Sequence, residues 1–477
     1  MVVRLLLVSV LALSVSCQPV RGEGEGELEP PHGSCSGYYP VTVDVGSLGL
    51  TAEEILDVGF GGVRAYGLTA LSEDRIQVTV QGHASCGPVD VVLETVHGAR
   101  THPQRFWYLA PSSPHFDRVV GIGASLGQGV QGGVPTAHGA LMSPLAQVVR
   151  QTGGFMTLPA LIDPLFPQIS PSDVGDPPDC PSPDVVTFVA TQIMGSISAF
   201  TDPESGDFSF DGMREDPDVE VMNISVGNAK VVHLLHGLPP DDLAANFLGH
   251  LVYDPHGEIL APLPESPVER AERLEPTLIL STDLYGNDVL RPLLNDPEPM
   301  TAEELASIAE ALGTVLDRLA ATGAQVFVAN LPDPSLLPAA KRHLKEVEAE
   351  ELADVEAFLT SLQQAALYLN AITGERAATH PNLHVVDLME PVAEISANGL
   401  MVGDQRLGAE RFGGIVGLDG VHFTDTGYAF LANLFIAEIN QVLGTDVPAI
   451  SLAPVLAMDP ESPAALRAAG VAVDECL

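Results

Sequence analysis

From Arg118 onward, short apolar runs rich in β-branched residues alternate with amphipathic helical patterns, and this alternation restricts the fold more than any other feature. The runs fall at Arg118–Ile122, Val219–Ile224, Thr277–Leu280, Gln325–Val328 and Leu383–Val386. Helical periodicity occupies about 143–152, a stretch opening at Thr301, about 352–372 and about 426–442. Thr301 and Glu304 have the spacing of a capping box ahead of Leu305, Ile308, Leu312 and Leu316. Strands that read as continuous apolar runs are buried on both faces, which predicts an α/β fold with a parallel sheet between helical layers. Five runs predict five strands in a flavodoxin-like, doubly wound sheet spanning 115–445. Residues 156–215, rich in Pro, Asp and Ser, read as long loops, and 446–477 as an Ala- and Pro-rich tail with little functional signal.

Upstream of a Pro-rich hinge at Ala110–Pro114 the rhythm differs. Residues 37–110 carry short β segments such as Val41–Val45, Ile76–Val80 and Val89–Leu93, broken by Gly and Pro, and predict a small all-β domain. Residues 18–36 contain Gly-Glu repeats and read as a solvated tether. The first residues combine Arg4 with the uncharged run Leu5–Leu13, too short for a permanent membrane span and suited to an export signal. Ser14, Val15 and Ser16 lead into Cys17, a sequence similar to the lipobox of bacterial lipoproteins, in which the cysteine is lipidated. Ser14 stands where that motif usually has leucine, so ordinary signal cleavage nearby is the alternative. Either way the chain is expected outside the cytoplasm: as a lipoprotein of the bacterial cell envelope, anchored to the outer membrane, or as a secreted protein.

Cysteine parity agrees with export. With Cys17 lipidated, Cys35, Cys86, Cys180 and Cys476 remain, an even number suited to disulfides. Pairing Cys35 with Cys86 inside the β domain would leave Cys180 for Cys476, although spacing alone does not fix connectivity. No metal-ligand spacing occurs, so a metal is not expected. The 63 acidic residues outnumber 21 basic ones for a formal charge of −42, which disfavours nucleic acid as a partner.

Four segments carry groups fit for acyl transfer. Gly123-Ala124-Ser125-Leu126-Gly127 places a serine where the first parallel strand gives way to a helix. Ligands gather at that strand edge, and amides at a helix start can stabilise an oxyanion. Asp419-Gly420-Val421-His422 sets a carboxylate three residues before an imidazole, close enough to fix its tautomer from one turn. Between them, Gly227 follows one predicted strand and Asn287 the next, each able to present an amide to the same edge. Taken singly, Gly123–Gly127 is as readily a helix cap, and Gly227-Asn228 and Asn287-Asp288 are ordinary turn residues.

The order of these segments resembles the SGNH/GDSL hydrolase family over about Arg118 to Leu443. A closer likeness, to exported SGNH lipoproteins of bacteria, rests on Ala329-Asn330-Leu331-Pro332-Asp333, on Phe412-Gly413-Gly414, and on Thr426 to Asn433. The resemblance implies a serine esterase or lipase that needs no cofactor. Ser125 would be nucleophile and first oxyanion donor, Gly227 and Asn287 the further donors, and His422 the base oriented by Asp419. Two positions depart from the family pattern. Ala124 replaces the GDSL aspartate, which removes a carboxylate that orders the loop, and Tyr285 replaces a glycine, which would add bulk beside the pocket. A scaffold that has lost activity and serves as a surface binding protein is therefore the main rival. An α/β-hydrolase is a weaker one: Gly123–Gly127 matches G-x-S-x-G, but the serine follows the first strand of its domain and no HGGG-type loop precedes it. The segment from Val58 to Val63, through Gly87 to Val91, to Phe106-Trp107-Tyr108 resembles an IPT/TIG domain of immunoglobulin-like type. This likeness implies a spacer or binding module.

Overall fold

The computed structural model describes residues 28–162, 165–167, 185–203, 208–294, 299–341, 352–471 and 473. Cys17, Cys180, Cys476 and the export signal lie outside the described residues.

The N-terminal region is all-β. Tyr39–Asp44 pairs antiparallel with Arg75–Val80, and Ile55–Phe60 with Val91–Thr95. Alternation along these strands turns Val41, Val43, Ile76, Val78, Val80, Val58, Phe60, Val91 and Leu93 into one buried core. Phe106 meets Phe60 and Tyr108 edge-on, with centroids 5.2 and 5.1 Å apart. Cys35 and Cys86 form the expected disulfide; closing a loop of 51 residues stabilises by about 4 kcal/mol in the chain-entropy view. Residues 28–36, expected as the end of the tether, contain strands instead, while 18–27 lie outside the described residues. Leu28–Glu29 adds to Tyr39–Asp44, and His32–Ser34 pairs with Phe106–Leu109. Leu28, the apolar residue in that stretch, is buried and anchors it.

Four parallel strands form the central sheet of the larger region: Val119–Gly121, Leu278–Ser281, Gln325–Ala329 and Leu383–Val386, in that spatial order. Nearly every residue of the first three is buried, as a sheet covered on both faces requires. The expected fifth strand, Val219–Ile224, is not part of the sheet. It touches the outer edge of Val119–Gly121 through a single parallel bridge between Gly121 and Asn223. That bridge has two bonds, from Gly121 N–H to the Met222 carbonyl (3.0 Å) and from Ile224 N–H to the Gly121 carbonyl (2.8 Å), while Met222 and Asn223 donate their own N–H groups to the Thr157 carbonyl (3.0 Å each).

The helices follow their sequence signals closely. Thr301 and Glu304 close the predicted capping box at the start of Ala302–Ala321. Pro144–Thr152, Leu352–Thr379 and Asp425–Leu443 lie where periodicity places them, the second running a further turn or two. Two segments read as unstructured are not. Val185–Ala199, within the expected loops, is a helix, because the Pro- and Asp-rich composition stops at 184 and an uncharged run follows. In the expected tail, Leu452–Met458 and Pro463–Ala468 are helices, the latter capped by Ser462.

Candidate active site

The strand Val119–Gly121 delivers the chain through Gly123 into the short helix Ser125–Gln128. Gly123 has φ +149°, and a Cβ there would stand 2.8 Å from Asp283 Oδ1, so the turn requires glycine. Asp283, just past the strand Leu278–Ser281, lies beneath this turn. It accepts the N–H groups of Ala124 (3.0 Å), Leu126 (2.7 Å) and Gly127 (3.3 Å), and the Thr282 hydroxyl (3.1 Å). Burial pushes its carboxyl above the ordinary range, and these four donors act against that shift.

Asp419 and His422 sit in a tight reverse turn. Val416 bridges Phe423, Gly417 donates its N–H to the His422 carbonyl (2.7 Å), and Gly420 supplies the φ of +77°. Asp419 Oδ2 accepts from His422 Nδ1 at 2.8 Å and from the Gly133 N–H at 2.7 Å. Asp419 Oδ1 accepts the N–H groups of Val421 (2.9 Å) and His422 (2.8 Å). Burial alone would raise the Asp419 carboxyl, but the adjacent His422 and these hydrogen bonds outweigh it and hold it at about 2. An ionised carboxylate only accepts, so His422 Nδ1 is the donor of this hydrogen bond and Nε2 is the ring nitrogen left for other partners.

Ser125 and His422 open into one cavity of about 620 Å³, together with Gly227 and Asn287. The rest of its wall is mostly apolar: Val189 and Ile193 from the helix Val185–Ala199, with Leu248, Leu290, Leu337 and Phe423. All four segments singled out in the sequence therefore meet. Two of the predicted oxyanion donors are already engaged, however. The Gly227 N–H donates to Gln128 Oε1 at 2.8 Å, and Asn287 Nδ2 donates one hydrogen to the Ala229 carbonyl at 2.9 Å. Asn287 retains a second N–H, whereas Gly227 has no other. Tyr285 does not reshape the pocket. It is fully buried, its hydroxyl donates to Asn370 Oδ1 at 2.7 Å, and it takes no part in the cavity wall.

Sequence reasoning missed several supporting groups. Asp459, in the expected tail, accepts the N–H (2.9 Å) and hydroxyl (2.7 Å) of Thr426 at the start of the last long helix. Glu461 accepts the N–H of Leu418 at 2.7 Å, directly behind Asp419. Burial, and then the Asp419 charge, push the Glu461 carboxyl up to about 8. Asp425 accepts from Gln131 Nε2 (2.7 Å) and pairs with His138 Nε2 (2.8 Å), tying the loop after Ser125–Gln128 to the same helix start. Ser462-Pro463, a helix-start signature, was the one clue that the tail is built in. Among the described residues, no group of His, Cys, Asp or Glu is arranged to hold a metal, and no helix is long and apolar enough to cross a membrane.

Comparison with known proteins bears on the larger region. Residues 204–435 match the family model of GDSL-like Lipase/Acylhydrolase, a stretch that includes Gly227, Asn287, Asp419 and His422 but begins after Ser125. No curated protein matches the chain. Among solved structures, a Slackia heliotrinireducens protein described as a candidate SGNH hydrolase is 14% identical. The match covers 46% of this chain and 85% of that one, but its TM-score of 0.25 adds nothing to the argument. Just under half of the chain is thus similar to the GDSL-like Lipase/Acylhydrolase family, and Gly227, Asn287 and His422 from that stretch line one cavity with Ser125.

Proposed function

We propose that the chain hydrolyses carboxylic esters through an acyl-enzyme on Ser125. The observation that carries this reading is the Asp419–His422 hydrogen bond, which engages Nδ1 and leaves Nε2 as the ring nitrogen that can serve as base in the cavity that Ser125 and His422 both line. In the first half-reaction Ser125 Oγ attacks the ester carbonyl while His422 Nε2 takes its proton. Collapse of the tetrahedral intermediate expels the alcohol, which receives that proton from His422. Water then attacks the acyl-enzyme with His422 again as base, releasing the acid and restoring Ser125. The Ser125 N–H and the second N–H of Asn287 support the developing oxyanion. Gly227 joins them by exchanging Gln128 for the substrate oxygen, and each donor contributes roughly 10²–10³ in rate. Hydrolysis of a short-chain aryl ester, with phosphonate labelling of Ser125, tests the assignment. Absence of both in folded protein would refute it.

The cavity walls favour esters with an apolar acyl or aryl group over acetylated polysaccharide. Ile193→Trp adds bulk to the apolar wall of the cavity, and its effect depends on chain length. Octanoyl ester turnover is expected to fall by about 10-fold or more, the range of a few methylenes in an apolar pocket, while acetyl ester turnover changes little. Equal losses on both esters would place the acyl chain elsewhere.

One observation favours a second reading, a binding protein on a silenced hydrolase scaffold: the Gly227 amide already has a partner in Gln128. Ester binding without phosphonate labelling would select it. In either case the export signal supports a location at the bacterial envelope, with Cys17 as lipid anchor and the β region as an IPT/TIG-like spacer. Metabolic labelling with a fatty acid should mark the wild-type protein and not Cys17→Ala, whereas equal labelling would remove the anchor.

A further inference from the structure

We infer that Asp283 is the positioning residue that holds the nucleophile's turn, taking over from the next strand the work that a carboxylate at position 124 would do. The inference rests on the reading of Ser125 as nucleophile, but its geometry stands by itself. Asp283 accepts the amides on both sides of Ser125, those of Ala124, Leu126 and Gly127, and leaves out the amide of Ser125. A carboxylate that took all four would compete with an oxyanion for the first donor, whereas this pattern orients the turn and leaves that donor for the substrate. The Thr282 hydroxyl fixes the carboxylate from its own strand end. Position 124 has only a buried methyl group, so no local side chain can satisfy these amides. Gly123 closes the arrangement, because any side chain there would collide with Asp283 Oδ1.

These contacts join two neighbouring strand ends separated by more than 150 residues of chain. The nucleophile's turn is thereby registered to the segment that carries Asn287, so donor and nucleophile share one rigid mount. Asp283 touches no reacting atom in this account; it acts through the backbone of residues 124–127.

The test uses the full chain and the variant Asp283→Asn. An amide offers one accepting oxygen and sets an NH₂ against backbone N–H groups, so at least one of the three amides loses its partner. Hydrogen exchange over residues 122–130 is expected to accelerate at least 10-fold, with the rest of the protein unchanged. This readout does not depend on hydrolysis, so it separates failure of the positioning role from failure of the esterase reading. Where the esterase assay reports activity, kcat per phosphonate-titrated site should fall about 30- to 100-fold with KM within about threefold. A merely structural role would instead lower the number of titratable sites and leave kcat per site unchanged. Should Asp283→Asn not fold, Thr282→Val keeps the carboxylate and removes one of its four donors. It should accelerate exchange over the same residues by about threefold. Exchange at the wild-type rate in the folded variant would overturn the inference, as would kcat per site within twofold of wild type.

Discussion

Ser125→Ala and His422→Ala should each lower kcat for a short-chain aryl ester by about 10⁶, and the double variant should be little worse than either, because the two residues act as one unit. Serine without its base is a weak nucleophile, and the base without serine has no acyl acceptor to activate. Ser125→Ala should hardly change stability, whereas His422→Ala should lower it, because the buried Asp419 carboxylate loses its imidazole partner. Melting temperature and steady-state rate, measured on the same preparations, check both statements. Activity surviving in Ser125→Ala would move the nucleophile elsewhere in the 620 Å³ cavity.

Asp419→Asn should cost about 10⁴ in kcat while preserving most of the cavity, because an amide offers His422 the wrong hydrogen-bonding partner and the wrong tautomer. It should also destabilise the protein, for Asp419 accepts three backbone N–H groups besides the imidazole. The pH dependence has a definite sign. A folded-state value near 2 lies below the ordinary aspartate range, so the contribution is fully present above about pH 4 and is lost as pH falls through 2. Its size is about 2 kcal/mol at neutral pH, taking 1.36 kcal/mol per unit. Denaturant unfolding at pH 7 and near pH 2 should therefore show wild type and Asp419→Asn converging in acid, and a constant gap would contradict the assignment. Glu461 acts in the opposite sense. Its raised value, about 8, means that the fold loses stability as pH climbs from the ordinary carboxylate range toward 8.

What could be read from the sequence was local. Asp419 and His422 lie three residues apart, Thr301 and Glu304 likewise, and each pair meets within one turn regardless of the remaining fold. The four sheet strands were legible because burial on both faces makes a run uniformly apolar. Val219–Ile224 carries Glu220 and Asn223 among its apolar residues and joins the sheet edge by one bridge only, with Met222 and Asn223 donating to Thr157 on a separate loop. Asp283 stayed hidden for the same reason. A lone carboxylate after a strand has no periodicity, and its partners stand more than 150 residues away. Gln128 could not be paired with Gly227 before the first turn and the bridged segment were placed side by side. The helix Val185–Ala199 was obscured by averaging its uncharged run with the Pro-rich stretch before it.

Asp459 and Glu461 hold the catalytic turn from a segment that follows the last long helix. Chains emerge from ribosomes and translocation pores with their N-terminal parts first, so the turn bearing Ser125 is free long before these two carboxylates arrive. With Ser125 read as nucleophile and His422 as base, the protein in that interval would have the serine and no seated imidazole. Timing alone would thus keep the emerging chain from attacking esters around it, and activity would switch on only when the closing segment docks.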